Sequence, residues 1–369
     1  MGIRPPSQHK KTYVLEEMAM ETRKEVLWKE GEYTYPLSFG FMPNIRAYLH
    51  EEGNELRPCV VMVPGGGYSM CAPAEGEPVA KRFYEMGFQT FVLTYTTNLL
   101  AQVPLGKQPM RDLARAIRMI RSHAAQYGID PERVILCGFS AGAHLCGSLC
   151  VHFDDVSEED SSLREYSARP DAAILSYPLV TTGDHRHEAS FRALLGDISL
   201  SGSDDKSSDA NGSDPKNSDI KVCQPNVSEL EYYSIEKQVR RDMPPCFVWQ
   251  TVTDEEVPME NSALLAQALK EKEVPFAYHL FTSGPHGMAL ADEDWAENRF
   301  GEPYTMEQIS CLVQAIREGM LGQSEELRAL ADFFSNPHAL DAGDKKADEE
   351  VAQWPEMACR WLRKVGILN

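Results

Sequence analysis

The chain has 369 residues, 43% of them hydrophobic, and a formal net charge of −20 at neutral pH. That is ample for one large α/β domain, with chain left over for insertions. So acidic a surface excludes nucleic acid and anionic membranes as natural partners, disfavours polyanionic substrates and suits a neutral one.

In chain order, residues 1–18 (MGIRPPSQHKKTYVLEEM) are polar with no apolar core, so no signal peptide is expected there. Gly2 is not followed by Ser or Thr at the position a myristoylation signal prefers. Extended pieces around 25–29 and 44–50 predict an antiparallel edge. The runs 58–63 (PCVVMV), 90–95 (TFVLTY), 134–137 (VILC), 172–176 (AAILS), 246–250 (CFVWQ) and 276–281 (FAYHLF) predict buried strands. Helical patterns lie between them at 75–86, 110–127, with Leu113, Ile117, Ile120 and Ala124 on one face, and 261–271. Strands alternating with helices imply an α/β fold, a mostly parallel sheet covered on both faces. Residues 199–221 are acidic, Ser-rich and of low complexity, and read as a disordered surface loop. Residues 296–349 read as a helical insertion or lid, with helices expected at 305–320 and 324–334. A closing helix is expected over 351–365, with Trp354, Met357, Trp361 and Leu362 on one face and Pro355 in its first turn. The whole, residues 1–369, reads as a single domain.

Nine cysteines form no C-x-x-C pair, and Cys59, Cys137, Cys146 and Cys246 sit inside apolar runs. They read as free buried thiols in a reducing, cytoplasmic setting. Cys146 and Cys150 are four apart and His185 and His187 form an H-x-H pair, but neither has a further ligand nearby in sequence, so no metal site is expected.

The run 134–151, VILCGFSAGAHLCGSLCV, is nearly long enough to span a bilayer. Gly138, Ser140, Gly142, His144, Gly147 and Ser148 interrupt it, so it divides instead into a buried strand and a helix of small residues. The join, Gly138-Phe139-Ser140-Ala141-Gly142, is a G-x-S-x-G motif between strand and helix, the context in which Ser140 is a nucleophile. A tight turn with an inert serine is the alternative. A serine hydroxyl needs a base, a carboxylate to orient that base, and N–H donors where negative charge develops. Pro64-Gly65-Gly66-Gly67-Tyr68 follows a strand directly and can turn its amides toward such a site. It lacks the Lys-Ser/Thr of a phosphate loop, and its glycine spacing does not fit a dinucleotide site. The Ala141 amide, at the positive end of the helix, is the other donor. Asp254, just past the strand at 246–250, is the candidate acid; Glu255, Glu256, Asp171, Asp184 and Asp197 are less well placed. The base should follow the acid in chain order, which leaves His279, His286 and His338. His286, in the glycine-flanked loop SGPHGM past a strand, is best placed to point inward.

The pieces PGGGYS, GFSAGAHL, TDEEVPMENSALLAQAL and FTSGPHGMAL resemble the esterase and acetyl-xylan-esterase-like branch of the α/β-hydrolase family, over about residues 24–198, 230–295 and 350–367. The resemblance implies an α/β-hydrolase fold with Ser140 as nucleophile, Asp254 as acid and His286 as base. It also implies Gly66, Gly67 and Ala141 as the oxyanion hole. Two positions depart from the wider pattern: Pro64 stands where many relatives have a loop-buttressing His, and Ala143 where GFSAGGHL would have Gly. The expected activity is hydrolysis of short acyl esters, acetyl foremost, of a small molecule or an acetylated oligosaccharide. No metal or organic cofactor is required, and a homo-oligomer is compatible with the sequence. A peptidase or amidase on the same three residues, or a non-catalytic ligand-binding protein, are the competing readings.

Overall fold

The computed structural model describes residues 20–51, 55–197, 225–336, 338–341 and 343–369. Among them, eight strands form one sheet: β1 (Glu21–Val26), β2 (Asn44–Leu49), β3 (Arg57–Val63), β4 (Gln89–Thr94), β5 (Ile129–Phe139), β6 (Ala172–Ser176), β7 (Cys246–Thr251) and β8 (Phe276–Phe281). Their order is β1-β2-β4-β3-β5-β6-β7-β8. β1 and β2 form the antiparallel edge, β1 lying at Glu21–Val26 instead of around 25–29, and β2 runs antiparallel to β4. From β4 to β8 every pairing is parallel.

Parallel neighbours need crossovers, and helices supply them. Glu77–Glu85 joins β3 to β4, Gln108–Ser122 leads to β5, Ala141–His152 leaves β5, and Glu260–Glu271 joins β7 to β8. Side chains alternate along β3, so each face of the sheet has its own core. Cys59, Val61 and Val63 pack with Leu113, Ile117, Ile120, Leu145 and Leu149. Val60 and Met62 pack with Val79, Phe83, Trp354 and Leu362 on the other side, so the closing helix Trp354–Lys364 covers the same face as Glu77–Glu85.

Four other elements differ from the sequence reading. The helix at 110–127 starts at Gln108 and breaks at His123, and a short helix, Ala124–Tyr127, ends at Gly128 in the left-handed region (φ 62°). The helix at 75–86 opens instead as a single 3-10 turn, Pro73–Glu75, which turns Glu75 into the core. β5 begins at Ile129, because Arg57 pairs with that residue ahead of the apolar run. β8 is a half-exposed edge strand rather than a buried one, and Leu280 is 37% exposed.

Within the second insertion, helices Glu307–Arg317 and Glu325–Ser335 share an apolar cluster of Ile309, Leu312, Val313, Ile316 and Ala331. Phe39, Met70, Leu99 and Leu100 pack against it. The acidic segment 199–221 lies outside the described residues. Among the described residues no helix is long and apolar enough to cross a membrane.

Candidate active site

The carboxyl ends of β3, β5, β6, β7 and β8 lie along one edge of the sheet, where open α/β sheets bind ligands. At the end of β5, Ser140 is forced to φ 50°, ψ −118° before the helix Ala141–His152 begins. The flanking glycines are required by contact. A Cβ on Gly138 would lie 2.6 Å from Gly142 O, and one on Gly142 only 2.0 Å from Val63 O. The Ser140 amide is held by Ser176 O of β6 at 3.0 Å. Its hydroxyl is thereby presented in a position that is 93% shielded from solvent, the residue being 7% exposed.

The structure brings Ser140, His286 and Asp254 together. Ser140 Oγ lies 2.7 Å from His286 Nε2, and His286 Nδ1 lies 2.7 Å from Asp254 Oδ2. An ionised carboxylate only accepts, so the imidazole proton sits on Nδ1 and Nε2 is free to accept from the serine. Asp254 Oδ1 accepts from the amides of Glu256 (3.1 Å) and Val257 (2.9 Å), which fixes the carboxylate. Burial pushes the His286 imidazole down, but the hydrogen bond and charge of Asp254, with Glu75 and Glu256 behind them, leave it above its ordinary value of 6.5. The other candidates are elsewhere. Glu255 and Glu256 point to solvent. Asp171 accepts from the Val134 amide within β5 and pairs with Arg121. His279, in β8, packs on Phe247 of β7, and His338 is exposed beside Asp341. His187 of the H-x-H pair contacts Ser190 Oγ through Nδ1 at 2.7 Å.

The glycine loop abuts the serine: a Cβ on Gly65 would lie 2.9 Å from Ser140 Cβ. Gly66 (φ 111°) and Gly67 (φ 64°) both occupy the left-handed region, which this tight turn demands. Gly66 O accepts from the Ser69 and Met70 amides, and the Gly65 amide is taken by Glu75 Oε2 at 2.6 Å.

Three supporting residues were missed in the sequence. His144, fully buried on the helix after Ser140, accepts from Tyr68 OH at Nδ1 (2.8 Å) and donates from Nε2 to Tyr233 O (2.9 Å). Burial pushes its pKa down to about 4, so it is a neutral strut between the helix after Ser140 and the glycine loop. Tyr177 follows β6 with φ 38° and sets its ring edge-on to His286, centroids 5.0 Å apart. Glu75 accepts from Tyr177 OH at 2.8 Å. Glu75 carried a faint signal, an acid just ahead of a helix in AEGEP. Tyr177 reads from sequence as an ordinary core aromatic.

A family model described as BD-FAE matches residues 45–269. Endo-1,4-beta-xylanase B of Butyrivibrio fibrisolvens is 45% identical over 285 residues, which cover 77% of this chain and 41% of that one. An acetylxylan esterase of Xylanibacter ruminicola is 32% identical over 125 residues, 33% of this chain and 22% of that one. The chain thus spans well under two thirds of both relatives. Among solved structures, an acetyl ester-xyloside bifunctional hydrolase from Caldicellulosiruptor lactoaceticus superposes with a TM-score of 0.61 at 30% identity, over 80% of this chain and 97% of that one. A carboxylesterase from Lactobacillus plantarum shares the fold with a TM-score of 0.62 at 23% identity, over 95% and 99% of the two chains. With that sheet order, the serine elbow and a family match over most of its length, the chain is an α/β-hydrolase and belongs to the BD-FAE family.

Proposed function

We propose that the protein is a serine carboxylesterase that removes short acyl groups, acetyl foremost, from a carbohydrate. The observation that carries this reading is the unbroken relay from Ser140 Oγ through His286 to Asp254, 2.7 Å at each step. Ser140 Oγ attacks the ester carbonyl carbon as His286 Nε2 takes its proton. The oxygen that gains charge is met by the amides of Ala141, Gly66 and Gly67. The tetrahedral adduct collapses, the C–O bond to the alcohol breaks, and Nε2 returns the proton to the leaving oxygen. Water, deprotonated by the same nitrogen, then attacks the acyl-enzyme and releases the acid and Ser140. Asp254 holds the imidazole tautomer and stabilises its cation throughout. The chemistry draws on no metal or organic cofactor.

The carbohydrate part rests on the relatives and on the shape beside the base. A cavity of about 860 Å³, within the usual range for ligand sites, reaches His286 and is bordered by Trp295, Glu256, Asp344, Lys345 and Asp348. We place the alcohol there. The helices Glu307–Arg317 and Glu325–Ser335 act as a lid over the other flank, since their cluster packs on Met70 of the glycine loop. The eight free cysteines among the described residues suit a reducing, cytoplasmic compartment.

The test is kcat/KM on aryl acetate, butyrate and octanoate, and on acetylated and deacetylated xylo-oligosaccharides. The expected result is a fall with acyl length and acetate release from the acetylated sugar. Faster turnover of octanoate, with no acetate released from the sugar, would contradict the assignment.

A further inference from the structure

Glu75 is a carboxylate buried at the active site that the relay does not use. It is 4% exposed, yet among the described residues no Lys or Arg pairs with it. Its two oxygens are divided between two of the loops that build the site. Oε2 accepts from the amide of Gly65, whose neighbours Gly66 and Gly67 are the proposed oxyanion donors. Oε1 accepts from Tyr177 OH, and that hydroxyl accepts in turn from the amide of Ala289, three residues beyond His286. Both of its partners donate, as an ionised carboxylate requires.

From this geometry we infer that Glu75 is a positioning residue: one buried carboxylate sets the glycine loop and the His286 loop against each other and lends its charge to the imidazolium. This rests on the serine-esterase reading. Glu75 is bonded by the Gly65 amide and Tyr177 OH, and its charge is felt by His286 and, in the surrounding core, by Cys71, Tyr95 and Cys137. Burial raises all three of those groups, so they stay neutral around pH 7. Burial also raises Glu75 itself, opposed by Tyr177, the Gly65 amide and His286. His286 faces Asp254, Glu256 and Glu75 as anions, and His187 as the neighbouring imidazole. Deprotonated His286 is the active base, so removing a nearby negative charge lowers its pKa and moves the acid limb of kcat/KM to lower pH.

The experiment measures kcat, KM and the pH profile on an aryl acetate for wild type, Glu75→Gln, Tyr177→Phe and Ser140→Ala, with thermal melting of each. Glu75→Gln should lose about ten- to hundredfold in kcat with little change in KM. Its acid limb should move down by about half a unit to one unit. Tyr177→Phe, which leaves the carboxyl less firmly ionised, should move the limb the same way by less. If Glu75→Gln does not fold, the limb of Tyr177→Phe decides. Limbs that stay at the wild-type pH in the folded variants, with rate losses that only follow melting, would overturn the inference and leave Glu75 a structural tie. Ser140→Ala separates the two readings. If it is inactive and the limbs do not move, only the Glu75 inference fails. If it retains full turnover, the serine reading itself has failed.

Discussion

Ser140 holds a backbone conformation that costs about 1–3 kcal/mol, and its neighbours fix it there. Gly138 and Gly142 admit the close approach of β3 and the helix, and Ser176 O ties the Ser140 amide. The sharp turn lifts its hydroxyl toward His286, and Tyr68, Tyr177 and Ala289 beside the site share the positive-φ conformation. Burial alone would lower the His286 pKa, yet Asp254 outweighs it, so the imidazole titrates above 6.5. In the proposed mechanism neutral imidazole is the base, so kcat/KM should rise with pH through that raised value. Asp254→Asn removes both the charge and the acceptor that fixes the tautomer. Its kcat should fall on the order of 10⁴-fold, with the acid limb shifted to lower pH. A pH profile of the variant checks both. That Ser140, Asp254 and His286 would lie together was legible because each follows a strand end within a short polar or glycine-rich stretch. Glu75, Tyr177 and His144 were not, because their roles depend on partners 10, 102 and 76 residues away in the chain. No local pattern encodes such a pairing.

At the scale of elements, the strands were visible as apolar runs, and the crossovers as 3.6-residue periods. What the runs hid were their polar beginnings and their neighbours. β5 extends back through Asp130 and Glu132 because β3 pairs with Ile129. β8 looked buried because FAYHLF is apolar, but it lies at the sheet edge with one side uncovered. The closing helix has a second duty that its amphipathic pattern does not reveal. Trp354 is fully buried, stacks on Trp249 and packs against Phe83 and Phe139, while its Nε1 donates to Ala289 O at 2.8 Å. It therefore braces the loop that carries His286. Trp354→Ala should destabilise the fold by about 3–5 kcal/mol, read by chemical denaturation. Trp354→Phe should recover most of the stability while leaving kcat reduced, because the ring returns and the hydrogen bond does not.

For the whole molecule, the net charge of −20 acts on encounter rather than on chemistry. A neutral acetate ester should show a kcat/KM nearly independent of salt. An ester bearing a free carboxylate should react more slowly at low ionic strength and gain as salt screens the repulsion. A kinetic series in sodium chloride checks this. The same scale sets the limit of what the sequence disclosed. The α/β architecture and the single sheet were legible from alternating runs. The docking of residues 307–335 on Phe39, Met70, Leu99 and Leu100 was not, since it joins surfaces far apart in the chain. The central claim, that Ser140 is the nucleophile of an esterase, is tested most directly by comparing aryl acetate hydrolysis by the purified protein and by Ser140→Ala, with circular dichroism confirming that both are folded. The account predicts turnover by the wild type and a loss of about 10³-fold or more in the variant; equal rates from the two folded proteins would contradict it.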